Sequence, residues 1–101
     1  MYEMIVGLDV TDDEVYSNYR HAMKPILSAY GGSFGYDFQV SEVLLSQVTE
    51  PINRVFTIRF PNESRKNEFF TDQDYVKVKE RFFSKSVRHT TIIARFESDA
   101  S

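Results

Sequence analysis

Cysteine is absent from this chain of 101 residues, so neither disulfide bonds nor thiolate metal ligands are available to it. The first 20 residues contain no basic cluster and no apolar run long enough for a secretory signal or a membrane span. The lack of cysteine is also compatible with a reducing compartment. We therefore expect a cytoplasmic protein that makes no contact with a membrane.

Motifs that carry chemistry are also scarce. His21 and His89 have no second ligand at a spacing typical of metal sites, and no serine lies in a Gly-x-Ser-x-Gly motif. The glycines of residues 31–35 precede a predicted strand, whereas a phosphate loop precedes a helix. The sequence therefore predicts no metal and no cofactor, names no catalytic residue, and leaves open whether the protein is an enzyme.

The length predicts one domain, for which we expect residues 1–97, followed by a flexible tail over residues 98–101. Charge is unevenly distributed between the two halves of the chain. Residues 1–50 carry eight acids and two bases, a charge of −6, whereas residues 51–101 carry seven acids and ten bases, a charge of +3. The positive half either attracts an anionic partner or forms the solvated face of a late helix.

The first part of the chain alternates in hydropathy and then becomes helical. Apolar residues at every second position from Tyr2 to Val10 predict a half-buried strand. Thr11 and Glu14 have the spacing of a capping box, and the helix that they begin is expected to bend at Pro25 and to end near Tyr30, where Gly31 adopts the left-handed conformation. The apolar stripe of this helix is predicted to be Val15, Tyr19, Ala22, Ile26 and Ala29.

The rest of the chain predicts two more strands, a broken helix and a last strand. The second strand should bury Phe34, Tyr36, Phe38 and Val40, and residues 54–60 form the third. Helical segments are predicted over residues 62–70 and 73–85, and the last strand, residues 90–97, should bury Ile92, Ala94 and Phe96. The order β-α-β-β-α-β is that of an α+β, ferredoxin-like fold, in which the helices cover one face of a four-stranded antiparallel sheet.

The other face of this sheet mixes apolar and charged residues, a composition that suits neither a fully solvated surface nor a buried core. We therefore predict a sheet-to-sheet homodimer, with a solvated face and a ligand platform as the alternatives. The first and third strands place no aromatic residue on this face, so we expect no nucleic-acid binding of the kind that stacks bases on an open sheet. The candidate residues of the dimer face are Ile5, Asp9, Val55, Thr57, Ile93 and Arg95.

Tyrosines are the most suggestive residues for a ligand site. Tyr16, Tyr19, Tyr30 and Tyr36 are expected where the first helix meets the second strand, either lining a small pocket for a flat ligand or packing in the core. Asp37 with Arg59, or Asp9 with Arg95, could form catalytic pairs, and cross-strand or cross-subunit ion pairs explain them equally well. The candidate ligand-facing residues are Tyr16, Tyr19, Tyr36, Asp37 and Arg59.

Several of these residues match a known family. Val10-Thr11-Asp12, Tyr19-Arg20, Tyr30-Gly31-Gly32 and Phe60-Pro61 resemble a bacterial family, domain of unknown function 1330, over about residues 4–97. The resemblance implies a member of the dimeric α/β-barrel superfamily, in which a ferredoxin-like protomer packs its sheet against that of a second copy. Related families in the superfamily include cofactor-free monooxygenases and haem-degrading enzymes, which hold substrates between sheet and helices. No catalytic residue is transferred from the resemblance.

Two functions follow as hypotheses. The first is a homodimer that binds, and in its enzymatic version oxidises without a cofactor, a small aromatic molecule, with Asp37 or a tyrosine as the proton acceptor. The second is a non-catalytic dimer that serves as a binding or interaction module. A pocket lined by the hydroxyl groups of Tyr16, Tyr19 and Tyr36 would favour the first hypothesis over the second.

Overall fold

The computed structural model describes residues 1–99 and confirms the predicted ferredoxin-like α+β fold. Four strands form one antiparallel sheet in the order β2-β3-β1-β4, and the helices pack on one of its faces. The strands are β1 (Tyr2–Val10), β2 (Ser33–Gln39), β3 (Arg54–Phe60) and β4 (Val87–Glu97). The helices are α1 (Asp13–Ala29), α2 (Glu63–Thr71) and α3 (Gln73–Val78), which continues through a π-helical turn (Lys79–Phe83) into a short α4 (Ser84–Ser86).

The core lies between α1, the later helices and the central strands. Alternate residues of β1 and β3 are buried as predicted, because successive side chains of a strand point to opposite faces. From β1 and β3 these are Tyr2, Met4, Val6, Leu8, Val10, Phe56, Ile58 and Phe60. The stripe of α1 differs from the prediction: the buried residues are Tyr16, Tyr19, Met23 and Leu27, a face that still has helical spacing but lies beside the expected one.

The two ends of α1 show one wrong prediction and one correct one. The N-cap is Asp12, whose Oδ1 accepts from the Val15 N–H at 3.1 Å, whereas the Thr11 hydroxyl donates to the Ser86 carbonyl at 3.3 Å. The predicted capping box therefore does not form. At the other end Gly31 has φ 74°, in the left-handed region, as predicted. The Gly32 N–H then donates to the Leu27 carbonyl at 2.9 Å and closes the helix.

A β-bulge in β2 overturns the predicted alternation of that strand. Phe34 lies opposite Ile58, but Asp37 lies opposite Phe56, so Gly35 and Tyr36 together face the single residue Thr57. The Tyr36 N–H donates to the Thr57 Oγ1 at 2.8 Å. A Cβ on Gly35 would lie 2.5 Å from that same oxygen, which explains why a glycine stands in the bulge.

The extra residue moves every later side chain of the strand to the opposite face of the sheet, because side chains alternate between the faces with a period of two. Asp37, predicted on the open face, lies on the helix face with its cross-strand partner Phe56. Tyr36 and Phe38, predicted to be buried, are 66% and 54% exposed on the open face, where their rings stack with centroids 5.8 Å apart. The predictions for Tyr36, Asp37 and Phe38 were therefore wrong for one reason.

A second bulge has the same effect in β4. Ile5 lies opposite Ala94 and Val6 lies opposite Ile92, which leaves Ile93 as the extra residue. Arg95, predicted on the dimer face, consequently lies opposite Met4 on the helix face. Ala94 and Phe96, predicted to be buried by the helices, lie on the open face.

The connection between β2 and β3 folds back over the open face and is held by Asn53. The Asn53 side chain accepts from the Val10 N–H and donates to the Val10 carbonyl, both at 2.8 Å. Ile52 beside it lies over Gly7, where a Cβ would come within 3.1 Å of the Ile52 side chain. Earlier in the loop, Leu44 and Leu45 are almost completely exposed. The loop therefore covers part of the open face and projects apolar side chains beyond it.

The two ends of the described chain meet. The Ser98 N–H donates to the Met1 carbonyl at 2.7 Å, and the Met1 amino group donates to the Ser98 carbonyl at 2.8 Å. Ser98, predicted to begin a flexible tail, thus continues the pairing of β4 with β1. Residues 100 and 101 of the predicted tail lie outside the described residues.

The bulge in β2 can be tested by replacing Thr57 with valine, which keeps the shape of the side chain and removes the oxygen that accepts from Tyr36. We expect Thr57→Val to lower the free energy of unfolding by about 1 kcal/mol, because the amide of Tyr36 loses its partner. Thr91→Val, on the same face of the sheet, is the control and should change stability by less than about 0.5 kcal/mol. Equal effects of the two variants in urea denaturation would contradict the role of Thr57.

Candidate functional site

A cavity of about 380 Å³ lies between the sheet and the helices. Its floor consists of the helix-facing side chains of the sheet, and its roof consists of residues from α1, α3 and the π-helical turn. The buried lining residues are almost all apolar or aromatic: Tyr2, Met4, Val6, Leu8, Phe56 and Ile58 from the sheet, and Tyr19, Met23 and Tyr75 from the helices. The cavity therefore offers a small molecule a largely apolar environment.

The rim of the cavity lies along β4, whose helix-facing residues are exposed. Thr90, Ile92 and Arg95 of this strand line the cavity from one side. Across from them lie Glu63, Lys66, Phe70 and Lys79 of the helical layer. Within residues 1–99, Lys66, Lys79 and Arg95 form no ion pair shorter than 4.0 Å. Three cationic side chains and one carboxylate give the rim a positive balance.

Two tyrosine hydroxyls form the polar group in the roof of the cavity. The hydroxyl oxygens of Tyr19 and Tyr75 are 2.9 Å apart and buried. The Tyr19 ring also packs against Phe83, with ring centroids 5.0 Å apart. Burial raises the pKa of both tyrosines above the ordinary value of 10.0, since an apolar environment disfavours the phenolate. Both phenols therefore stay neutral at physiological pH and act as hydrogen-bonding groups.

Arg20 lies where α1 crosses β2 and also lines the cavity. Its guanidinium carbon is 3.9 Å from the centroid of the Phe34 ring, a cation–π contact. The Nε atom donates to the Tyr16 hydroxyl at 2.8 Å, and Nη1 donates to Asp37 Oδ2 at 3.3 Å. The remaining nitrogen, Nη2, is buried and has no hydrogen-bond partner among residues 1–99. Arg20 is therefore held firmly and keeps one donor unused.

Asp37 is the centre of an ion cluster with two arginines. Its carboxylate accepts from Arg54 Nε and Nη2, both at 2.8 Å, in addition to the bond from Arg20. The hydrogen bond from Arg54 is the main cause that lowers the pKa of Asp37 below the ordinary value of 3.8. A carboxylate with a lowered pKa and occupied lone pairs is a poor proton acceptor at neutral pH. The geometry assigns Asp37 to the positioning of Arg20 and Arg54.

The structure separates the tyrosines that the sequence grouped together. Tyr16 and Tyr19 are neighbours on α1, with ring centroids 5.7 Å apart, whereas Tyr36 lies on the open face of the sheet. Tyr19 lines the cavity, and its hydroxyl partner is Tyr75 of α3, which was not among the predicted ligand-facing residues. Burial raises the pKa of Tyr16 as well, against the opposing effect of Arg20.

Neither of the two predicted acid–base pairs forms. Arg59 lies on the open face with Glu3, at 3.2 Å, and Asp37 lies on the helix face. Asp9 is buried and its nearest cation is Arg88, at 3.7 Å, whereas Arg95 lies on the opposite face of the sheet. Among residues 1–99, no group of three or more histidine or carboxylate side chains comes together as a metal site would require.

The open face of the sheet is more apolar than the sequence suggested. Of the predicted dimer-face residues, Ile5, Asp9, Val55, Thr57 and Ile93 lie on it, and only Arg95 does not. The bulges add the exposed side chains of Tyr36, Phe38 and Phe96. A groove of about 700 Å³ runs between this face and the loop, lined by apolar residues such as Leu44, Leu45, Val55 and Ile93.

The arrangement around Arg20 was missed because each of its signals is common in sequences. Arg20 follows Tyr16 by one helical turn and borders the buried stripe of α1. This spacing is the one sequence signal that indicates a contact between Arg20 and the core. Its partner Asp37 was assigned to the wrong face, and this error hid their proximity. Arg95 was missed as a cavity residue for the same reason, since the bulge at Ile93 cannot be seen in the hydropathy pattern.

The chain belongs to the family described as "Domain of unknown function (DUF1330)", whose model matches residues 2–96. The family resemblance predicted from the sequence is therefore confirmed. No protein with a curated function matches the chain.

Solved structures with the same fold share little sequence with this chain. A protein of unknown function from Rhodopseudomonas palustris is similar with a TM-score of 0.81 at 17% identity, over 99% of this chain and 83% of that one. A NIPSNAP domain protein from Burkholderia xenovorans has a TM-score of 0.70 at 12% identity, over 99% and 96%. A dabb family protein with a ferredoxin-like fold from Mesorhizobium loti has a TM-score of 0.66 at 13% identity, over 98% and 97%. At such identities the similarity shows the fold alone.

The ion cluster predicts a pH-dependent difference in stability. At pH 7, Asp37→Asn should lower the free energy of unfolding by about 1–2 kcal/mol, because two arginines lose a charged acceptor that is partly exposed. The pKa of Asp37 is lowered in the folded state, so its contribution is complete above pH 3.8 and disappears as the pH falls through the folded-state pKa.

The measurement is urea denaturation of the wild type and the variant at pH 7, 5 and 3. The difference between them should shrink only below about pH 4, close to the ordinary pKa of an aspartate. Glu42→Gln, in the exposed loop, is the control and should show no such dependence. A difference for Asp37→Asn that is unchanged at pH 3 would contradict the ionised cluster.

Proposed function

We propose that this protein is a homodimeric binding protein for a small, mostly apolar molecule, which it holds in the cavity between the sheet and the helices. The observation that carries the proposal is the cavity itself: about 380 Å³, with apolar walls, a buried pair of hydroxyls and an accessible rim. Ligand pockets typically measure about 300–1,000 Å³ and combine apolar walls with a few polar groups.

The composition of the lining supports an occupant. The cavity opens to solvent along β4, where Thr90, Ile92 and Arg95 are exposed, whereas its deeper walls are apolar or aromatic. Transfer of an apolar molecule from water to such walls is favourable. A mostly apolar ligand is therefore a suitable occupant.

The proposed homodimer would use the open face of the sheet. The stacked rings of Tyr36 and Phe38 on β2, and Ile93 and Phe96 on β4, leave large apolar side chains exposed at both edges of this face. Two of the charged residues of this face, Glu3 and Arg59, already pair within one chain at 3.2 Å. A second copy presents the same apolar side chains and is therefore a suitable partner. A solvated face and a ligand platform remain the competing alternatives.

Binding receives more support than oxidation. The predicted proton acceptor, Asp37, is occupied by two arginines, and burial raises the pKa of Tyr19 and Tyr75. None of these groups is suited to accept a proton at neutral pH. We therefore propose the non-catalytic alternative, a dimeric binding module. A cytoplasmic location in a bacterium stays a prediction from the sequence; within residues 1–99, no helix combines the length and the apolar content that a membrane span requires.

The cavity can be tested with a neutral fluorescent probe, N-phenyl-1-naphthylamine. We expect the wild type to bind it with a saturable increase in fluorescence. Thr90→Trp, which fills the rim from β4, should weaken binding by about tenfold, because an indole occupies space that the probe requires. His21→Trp, on the exposed side of α1, is the matched control and should bind as the wild type does. A wild type that does not bind the probe would contradict the proposal.

The dimer can be tested by light scattering at micromolar concentration. The wild type should have twice the chain mass of 11.8 kDa. Ile93→Glu should shift the protein to the mass of one chain, because the variant buries an unpaired carboxylate in the proposed interface. His21→Glu should remain dimeric. A wild type found as a single chain, with Tyr36 and Phe38 freely hydrated, would overturn the dimer.

A further inference from the structure

We infer that the ligand of the cavity is an aromatic carboxylate and that Arg20 Nη2 receives its carboxylate group. The inference rests on the proposed binding function and specifies the ligand class and the residue that selects it. It starts from one atom: Nη2 is shielded from solvent and, among residues 1–99, has no hydrogen-bond partner.

An unpartnered guanidinium nitrogen at this depth requires an explanation. The Arg20 side chain is only 12% exposed, and it lines the cavity. Leaving a buried donor without an acceptor is costly, the more so when the donor is charged. Arg20 Nε donates to the Tyr16 hydroxyl, and Nη1 donates to Asp37. Arg20 lines the cavity, so we assign the missing acceptor of its guanidinium to a ligand there.

The charge of the cluster favours an anion over a neutral acceptor. Arg20 and Arg54 share the single carboxylate of Asp37, so these three groups carry an excess of positive charge, which the carboxylate of Asp13 near Arg54 offsets in part. That excess lies beside the rings of Phe34 and Phe56, at 3.9 and 4.8 Å from the Arg20 guanidinium, where water screens it less than at the surface. A carboxylate in the cavity would neutralise the cluster and complete the hydrogen bonds of Arg20 with one group.

Arg20 is also fixed before any ligand arrives. The Phe34 ring holds the plane of the guanidinium, Tyr16 holds Nε and Asp37 holds Nη1. A donor that is already oriented loses little conformational entropy on binding. Most of the free energy of its hydrogen bond to the ligand therefore contributes to the binding affinity. The arrangement thus resembles a prepared anion site rather than a surface arginine.

The walls beside Arg20 indicate the rest of the ligand. Phe34, Phe56 and Tyr19 present aromatic surfaces within the cavity, which suit a flat ring system. The volume of about 380 Å³ admits one or two fused rings with a carboxylate substituent. The cationic rim of Lys66, Lys79 and Arg95 would raise the local concentration of such an anion before it enters.

The experiment compares 2-naphthoate with its neutral isostere 2-naphthamide by isothermal titration calorimetry at pH 7. We expect the wild type to prefer the carboxylate by about tenfold or more, as a charge-assisted hydrogen bond would give. Arg20→Met, which keeps the apolar stem, should lose this preference while its affinity for 2-naphthamide changes little. Arg65→Met removes an equal charge from an exposed pair on α2 and should retain the preference.

The outcomes separate this inference from the proposed function. If neither compound binds the wild type, the binding function itself fails. If both bind the wild type equally, the function stands and the carboxylate inference is overturned. A preference that persists in Arg20→Met and disappears in Lys79→Met would place the anion at the rim and also overturn the role of Arg20.

A second measurement keeps the inference testable if Arg20→Met does not fold. In the ¹⁵N-labelled wild type, the side-chain signal of Arg20 should shift on addition of 2-naphthoate and should respond much less to 2-naphthamide. An Arg20 signal that is unchanged at saturating 2-naphthoate would overturn the inference. Circular dichroism of each variant establishes whether it folds.

Discussion

Two β-bulges in the edge strands, one in β2 and one at Ile93 in β4, are the constraint on which the rest of this structure depends. Each bulge adds one residue to a strand, and one added residue moves every later side chain to the opposite face. In β2 the bulge at Gly35 and Tyr36 brings Asp37 to the helix face, and in β4 the bulge at Ile93 brings Arg95 to it. The same two shifts move Tyr36, Phe38 and Phe96 onto the open face. The position of Asp37 beside the helices and the exposed aromatic residues of the proposed dimer surface therefore have a common origin.

The bulge in β2 affects the proposed ligand site through the ion cluster of Asp37 with Arg20 and Arg54. Because Asp37 faces the helices, it meets Arg20 of α1 and Arg54 of β3 and orients both. Arg20 is then held between Phe34, Tyr16 and Asp37, with one nitrogen left without a hydrogen-bond partner among residues 1–99. With regular alternation Asp37 would lie on the open face, and Arg20 would lack the acceptor that now fixes it.

The regular parts of the fold could be predicted from the sequence because their patterns have a single interpretation. Residues 2–10 and 54–60 alternate without interruption, and the glycine at the end of α1 adopts the backbone conformation expected of it. In the sequences of β2 and β4 the apolar residues alternate just as regularly, but this hydropathy pattern does not show the position of a β-bulge. Gly35 was the one available hint, since a glycine inside a strand often marks a bulge. The site residues Asp37 and Arg95 were misplaced for this reason, while Tyr19, on a regular helix, was placed correctly.

The pairing of the edge strands is therefore the most direct test, and nuclear Overhauser spectroscopy on the wild type can measure it. Cross-strand contacts identify which residues lie opposite one another, independently of ligand and of dimerisation. We predict contacts that place Asp37 opposite Phe56 and Arg95 opposite Met4. Contacts that instead place Tyr36 opposite Phe56 and Ala94 opposite Met4 would show uninterrupted strands, and would contradict both the arginine site and the apolar face.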